Sequence, residues 1–358
     1  MPAKPTAFCL AEDRRDHETG LRLTILSLSR HCPGAPVYVY KPPNDSDFGD
    51  WVRSFPEVTW FPYRPPESHA WNCKPQALKP LLAMGHRDAV WLDADLVVTS
   101  DCRRVFERLD ERVLAVAQEP ASLPHRGTAV RTRGWNLEVG RPLPFTLNSS
   151  VLRVTSHHIP FLERWTGMLN DPEYLACQKL VLEERPIHMA GDQDVLNALV
   201  GSREFADIPL HVFRSTVDII HAGGALGYSA SERIRGLFRP KPAFIHATAG
   251  KPWLWLGGEP YWSQKNFFSW HRRLLQETSP YLFEARRYRN QLGEASQWMD
   301  WRTGTGTVLR LLGLGHFALR GLPIALAAGA MDAAQKFSRA PEPESSSEGA
   351  VPVFGRRR

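Results

Sequence analysis

The chain has 358 residues, 43% hydrophobic and 23% charged, the balance of a soluble globular protein able to bury a substantial core in one large domain or two modest ones. Its five cysteines are odd in number and widely spaced, which excludes a disulfide framework or a zinc-spacing pattern and favours a reducing compartment. A net charge of +6 favours anionic partners, a phosphate-bearing substrate, an acidic lipid surface or a nucleic acid, without choosing among them.

Taken in order, AFCLA (7–11) reads as a strand. Thr19 is placed to cap a helix in which Leu21, Ile25 and Leu28 share a face. PVYVY (36–40) and VTWF (58–61) read as further strands. Lys74 to Met84 reads as a helix with Pro75 near its start, followed by the apolar strand AVWLDADLVV. Strand and helix in alternation predict an α/β fold, with a Rossmann-like, mostly parallel central sheet flanked by helices. Residues 119–147, rich in Arg, Pro and Gly, read as a long loop or flap, and 148–290 as mixed α and β.

Asp93 and Asp95 interrupt an otherwise apolar strand. Residues i and i+2 of a strand point to one face, so a continuous strand sets the two carboxylates side by side. Their burial without a partner costs several kcal/mol. A divalent cation relieves the repulsion, and carboxylate oxygens suit Mg²⁺ or Mn²⁺. A basic partner for Asp93, with Asp95 opening a turn, is the plainer solution that the motif alone leaves open.

Three later blocks, TLNSSVLRV (146–154), GDQDVLNALV (191–200) and FIHATAGKPW (244–253), follow WLDADLVV in order. Over residues 6–255 this ordered set resembles the family-eight retaining glycosyltransferases, which include glycogenin and the bacterial lipopolysaccharide galactosyltransferases. The resemblance implies a GT-A fold and a nucleotide-diphosphate-sugar donor, usually UDP-linked, with UDP-glucose or UDP-galactose the expected donors. It implies a Mn²⁺ (or Mg²⁺) cofactor and a saccharide or glycolipid acceptor. By position, Asp93, Asp95 and His246 match the metal ligands, with Ala94 between the acids. Lys251 matches the lysine on the donor diphosphate. Asn148 and Ser149 match an Asn-Ser pair, and Asp192 and Gln193 the Asp-Gln pair facing the donor sugar. Ala11, Glu12 and Asp13 fall where the base and ribose are held, and Lys74 where a basic residue reaches the donor. The chain departs from the family in having Ser150 for a glycine, a HATAGKPW block one residue shorter, and Arg14 and Arg15 where a tyrosine is usual.

Each position also has a plainer reading. Asp192 precedes an apolar helical pattern and fits a helix N-cap, Asn148 a strand-end hydrogen bond, and Glu12 and Asp13 a polar loop. His221, in DIIHAGGALGY, is a rival metal ligand to His246. The regions expected are a catalytic domain (1–290), a helical C-terminal extension (291–338) and a disordered tail (339–358). Within 302–338, Arg302, Arg310, His316 and Arg320 gather on one side of a helix and Val308, Leu311, Leu312, Leu319 and Leu322 on the other. That pattern suits a helix lying on an anionic membrane, or one packed on the protein's own surface. With no apolar N-terminal run of signal-peptide length, a cytoplasmic protein is expected, peripheral at the inner face of the plasma membrane if that helix binds lipid. No nucleic-acid module accompanies the basic charge, so no nucleic-acid partner is expected. Two other function classes stand beside the transferase: a haloacid-dehalogenase-like phosphohydrolase, whose acid pair follows the first strand of its domain, and a non-catalytic nucleotide-sugar-binding protein.

Overall fold

Among the described residues the apolar runs form ten strands: β1 (Ala7–Ala11), β2 (Val37–Tyr40), β3 (Val58–Phe61), β4 (Ala89–Leu92), β5 (Leu96–Val98), β6 (Leu114–Gln118), β7 (Leu147–Val154), β8 (Leu210–Phe213), β9 (Ile219–His221) and β10 (Phe244–His246). The computed structural model describes residues 4–44, 46–65, 70–120, 127–222, 229–248, 251–255 and 279–300, with isolated positions between 308 and 330. Seven strands form the central sheet in the order β3-β2-β1-β4-β7-β6-β8. β3, β2, β1 and β4 pair in parallel, as do β6 and β8. β7 runs antiparallel to both of its neighbours, β4 and β6. The expected α/β architecture, a mostly parallel sheet flanked by helices, is therefore observed.

The strands show period-2 packing on a sheet covered on both faces. Along β1, Ala7 and Cys9 join Leu78, Trp165 and Leu196 on one face, while Phe8 and Leu10 join Leu21, Ile25 and Phe106 on the other. A second sheet, β5-β10-β9, packs Val97, Ile245 and Ile220 against Trp253 and Tyr281.

The antiparallel course of β7 positions the site. Because β7 enters where β4 leaves, with Leu92 opposite Val151, its first residues lie at the carboxyl edge of β4. The Asp93 amide donates to the Ser150 carbonyl at 2.8 Å, which fixes that junction. Ligands of open α/β sheets bind at this edge.

Three local expectations are corrected. AVWLDADLVV is not one strand: β4 ends at Leu92, a turn carries Asp93 to Asp95, and β5 belongs to the second sheet. The turn closes with the Leu96 amide on the Asp93 carbonyl at 3.2 Å, so turn geometry, not strand alternation, brings the acids together. Thr19 caps no helix. The helix spans Glu18–His31, so Thr19 lies inside its first turn. The flap contains the helix Ala129–Gly134, packed on the helix Asp192–Gly201. The Thr132 hydroxyl donates to the Ala198 carbonyl at 3.0 Å, and Arg131 is buried against Asp194 at 2.6 Å. The Arg-rich segment expected as a loop thus supplies one half of a buried ion pair.

Most of 302–338 and all of 339–358 lie outside the described residues, and with them the amphipathic helix and the tail expected there. Among the described residues, no helix is long and apolar enough to cross a membrane.

Candidate active site

A cavity of about 400 Å³ opens at the carboxyl edge of β1 and β4. Ala11 lines it from the end of β1, Glu12, Asp13 and Arg14 from the segment after β1, Asp93, Ala94 and Asp95 from the turn after β4, and Asn148 and Ser149 from β7. Lys74, Asp192, Gln193, His246 and Lys251 complete the group, with Trp71 at the wall. Every site residue expected from the sequence thus borders one cavity.

Lys74 anchors its centre. The helix Lys74–Ala83 begins with it, and its ammonium is buried. Nζ lies 3.0 Å from Asp93 Oδ1 and 3.0 Å from Asp192 Oδ2, and donates to Ser149 Oγ at 2.6 Å. The Ser149 hydroxyl donates in turn to Asp192 Oδ2 at 2.9 Å. Burial alone would pull the Lys74 ammonium down, but Asp192 and then Asp93 outweigh it and hold it above its ordinary value. Asp93 also accepts from the Trp91 indole at 2.7 Å. Asp192 is the first residue of its helix, with Gly191 at the N-cap, so it does not cap through its side chain. Asp194, two residues further, points instead into the pair with Arg131.

The second cluster comprises Asp93, Asp95 and His246, whose ligand atoms all lie within 4.8 Å of one another. His246 Nε2 is 3.1 Å from Asp95 Oδ1 and 3.9 Å from Asp93 Oδ2. No aligned hydrogen bond joins the nearer pair: Asp95 Oδ1 is buried and accepts none. A buried carboxylate oxygen with no donor therefore faces the His246 nitrogen across one small space, which suits a shared cation. Two carboxylate oxygens and one imidazole nitrogen form a donor set suited to Mn²⁺, with Mg²⁺ favoured less by the nitrogen. On its other oxygen Asp95 accepts from the Lys251 ammonium, which also donates to the Ala247 carbonyl at 2.6 Å. Burial would raise the Asp95 carboxyl, but the Lys251 ammonium opposes this, and the carboxyl is held well below the usual range.

At the other end Glu12 is buried and gripped by Arg14 through two hydrogen bonds of 2.8 and 2.9 Å, while Asp13 pairs with Arg64. One group beside the site, Glu119, went unassigned in the sequence. Glu119, just past β6, accepts from the Asn148 amide, and burial pushes its carboxyl above the usual range. His221 lies behind His246, their Nδ1 atoms 3.2 Å apart, and burial pushes its imidazole down to about 3. Among the described residues it is not in the metal-ligand cluster, so the rival-ligand reading of His221 is not supported. No local motif marks Glu119, which reaches the site only because β6 lies beside β7.

No protein-family model matches the chain, and no curated protein matches it in sequence. Several solved structures resemble it and are themselves glycosyltransferases. The apo bifunctional glycosyltransferase WbbM has a TM-score of 0.46 and 13% identity over 71% of this chain and 47% of its own. GlyE of Streptococcus pneumoniae TIGR4 has a TM-score of 0.44 and 16% identity over 83% and 63%. The galactosyltransferase LgtC, solved with donor and acceptor sugar analogues, has a TM-score of 0.45 and 13% identity over 80% and 100%. The chain thus spans about half of WbbM and under two thirds of GlyE.

Proposed function

We propose that the protein is a metal-dependent glycosyltransferase of GT-A type, which moves a hexose from a nucleotide-diphosphate sugar to a saccharide or glycolipid acceptor with retention. The observation that carries this reading is the convergence of Asp93, Asp95 and His246 within 4.8 Å, on the cavity that Glu12, Asp13, Lys74, Asp192 and Gln193 also line. A Mn²⁺ or Mg²⁺ ion held by those three side chains supplies Lewis-acid neutralisation of charge on the departing nucleoside diphosphate. Lys251, already turned toward Asp95, adds a preorganised cation for the same charge. Glu12 and Asp13 offer acceptors to ribose hydroxyls and base N–H groups. Asp192 and Gln193 are assigned to the sugar. Lys74 and Ser149 hold Asp192 in one orientation and offset its charge. UDP-linked glucose or galactose is the proposed donor, on the resemblance of the sequence blocks. The phosphohydrolase reading expects an acid pair after the first strand of its domain, whereas these acids follow β4.

The test is a panel of nucleotide sugars with Mn²⁺, scored by thermal shift and by slow donor hydrolysis. One or more UDP-hexoses are expected to stabilise the protein and to be hydrolysed. Asp95→Asn is expected to lower that hydrolysis by about 10²–10³ with the circular dichroism spectrum unchanged. A folded Asp95→Asn variant as active as the parent removes the site assignment. Phosphomonoester hydrolysis with no attack on nucleotide sugars, or donor binding with no turnover, removes the transferase reading.

A further inference from the structure

His246 stands beside His221 because β10 and β9 are parallel neighbours with these two residues in register. Their rings meet through the Nδ1 atoms, 3.2 Å apart. The other nitrogen of His221, Nε2, lies 2.9 Å from the Gln118 carbonyl oxygen at the end of β6. A carbonyl oxygen only accepts, so His221 Nε2 carries the hydrogen. His221 is fully buried, which favours the neutral ring and leaves its Nδ1 bare. The hydrogen between the rings therefore belongs to His246 Nδ1. In the neutral ring, the form that binds a metal, the nitrogen that His246 turns toward Asp95 and Asp93 is then Nε2, with its lone pair exposed. Left to themselves, two carboxylates would favour a hydrogen on that nitrogen, and a neutral imidazole carries only one. The contact from behind reserves it for Nδ1.

We infer that His221 is a positioning residue: through the chain Gln118 carbonyl, His221, His246, it fixes the tautomer and ring orientation that make His246 Nε2 a ligand for a divalent cation shared with Asp93 and Asp95. The inference rests on the metal reading proposed above. It gives His221 a role without metal contact, since both of its nitrogens are engaged elsewhere. Partners of this kind behind a ligating histidine typically contribute about 10–100-fold in metal affinity.

The experiment uses the full chain and two readouts besides turnover. The first is the Mn²⁺ dissociation constant, by calorimetry or electron paramagnetic resonance, for the parent, His221→Leu and His221→Asn. The leucine removes the acceptor behind His246 and is expected to weaken Mn²⁺ binding by about 10–100-fold. The asparagine Oδ1 can accept the same hydrogen and is expected to restore most of that loss. The second readout is the two-bond ¹H–¹⁵N spectrum of the imidazoles in the metal-free parent, with a proton expected on Nδ1 of His246 and none on Nδ1 of His221. Parental affinity in the leucine variant, equal losses in both variants, or a bare Nδ1 on His246 overturns the positioning role. Should the leucine variant not fold, the spectrum and the asparagine variant decide. Asp95→Asn separates the two readings: a parent that binds no Mn²⁺, or binds it as well as Asp95→Asn does, fails the metal site itself. A parent that loses Mn²⁺ on Asp95→Asn but not on His221→Leu fails only the positioning role.

Discussion

At the scale of single residues, the site is held by charges that need one another. Lys74 is 3% exposed and is the cation facing both Asp93 and Asp192. Breaking a buried pair by removing one partner costs about 3–5 kcal/mol, because the remaining charge stays desolvated. Lys74→Met leaves two carboxylates uncompensated, and Asp93 is the more solvated of them. We therefore expect a loss near the low end, about 3 kcal/mol in urea unfolding at neutral pH. Adding Asp192→Asn to that variant should recover part of the loss, since one of the stranded charges is then gone. Strictly additive losses in the double-mutant cycle would show that the pair is not coupled. Much of this chemistry was readable as residue type, because acids in an apolar run demand a partner. The identity of the partner was not: the sequence offered either a basic residue or a metal for the acid pair. The structure has Lys74 on Asp93 and, separately, the His246 nitrogen facing Asp95.

At the scale of elements, chain direction decides more than local pattern. Asn148 and Ser149 open β7, and only its antiparallel course puts them beside Asp93, which no property of TLNSSVLRV discloses. The split of AVWLDADLVV into β4 and β5 is likewise invisible to periodicity, because every apolar residue of both strands is buried and the run does not alternate. The strands AFCLA and VTWF were legible because short apolar runs bounded by polar residues have few alternatives. The junction after β7 shows a different dependence, on protonation. The His158 ring accepts the Thr155 amide on Nδ1 at 2.9 Å, and its Nε2, 3.1 Å from the Arg112 carbonyl, carries the hydrogen. This cap starts the helical segment that continues through Leu169 and requires the neutral ring. Burial pushes His158 down to about 4, from an unfolded value near 6.5. Between those values the unfolded chain binds the extra proton and the folded one does not, so stability rises with pH across the window. The contribution is fully present above about pH 6.5 and gone below about pH 4, with a total of about 3 kcal/mol. Urea unfolding at several pH values should show this slope in the parent. His158→Asn, which keeps an acceptor but cannot titrate, should lose about one proton of it; an unchanged slope assigns the proton elsewhere.

At the scale of the whole molecule, the site depends on the close approach of segments far apart in the chain. The helix Glu18–His31 lies against the turn bearing the acids, and Gly20 is the point of contact. A Cβ there would stand 2.7 Å from the Ala94 carbonyl oxygen and 2.7 Å from the ring of Trp253, two residues after Lys251. Trp253 is itself 6% exposed and packed on Tyr281, so it has little room to retreat, and the Ala94 oxygen is backbone. Gly20 thus holds together the first helix, the acidic turn and the Lys251 segment, with the β5-β10-β9 sheet carrying His246 alongside. Gly167 is the opposite case: it sits exposed inside the helix Ile159–Leu169, with nothing within 4 Å of a Cβ. Helix propensity favours alanine over glycine by about 0.8–1.0 kcal/mol where no neighbour interferes. Gly167→Ala should therefore gain up to about 1 kcal/mol in urea unfolding and leave Mn²⁺ affinity unchanged. Gly20→Ala enjoys the same propensity but meets two immovable neighbours, and overpacking of that kind costs about 1–3 kcal/mol. It should lose stability and, because the displaced atom belongs to the residue between Asp93 and Asp95, should weaken Mn²⁺ binding as well. If both variants gained stability equally, the contact between the first helix and the acidic turn would be loose, and the geometry of the two acids would have to be set by β4 and β5 alone.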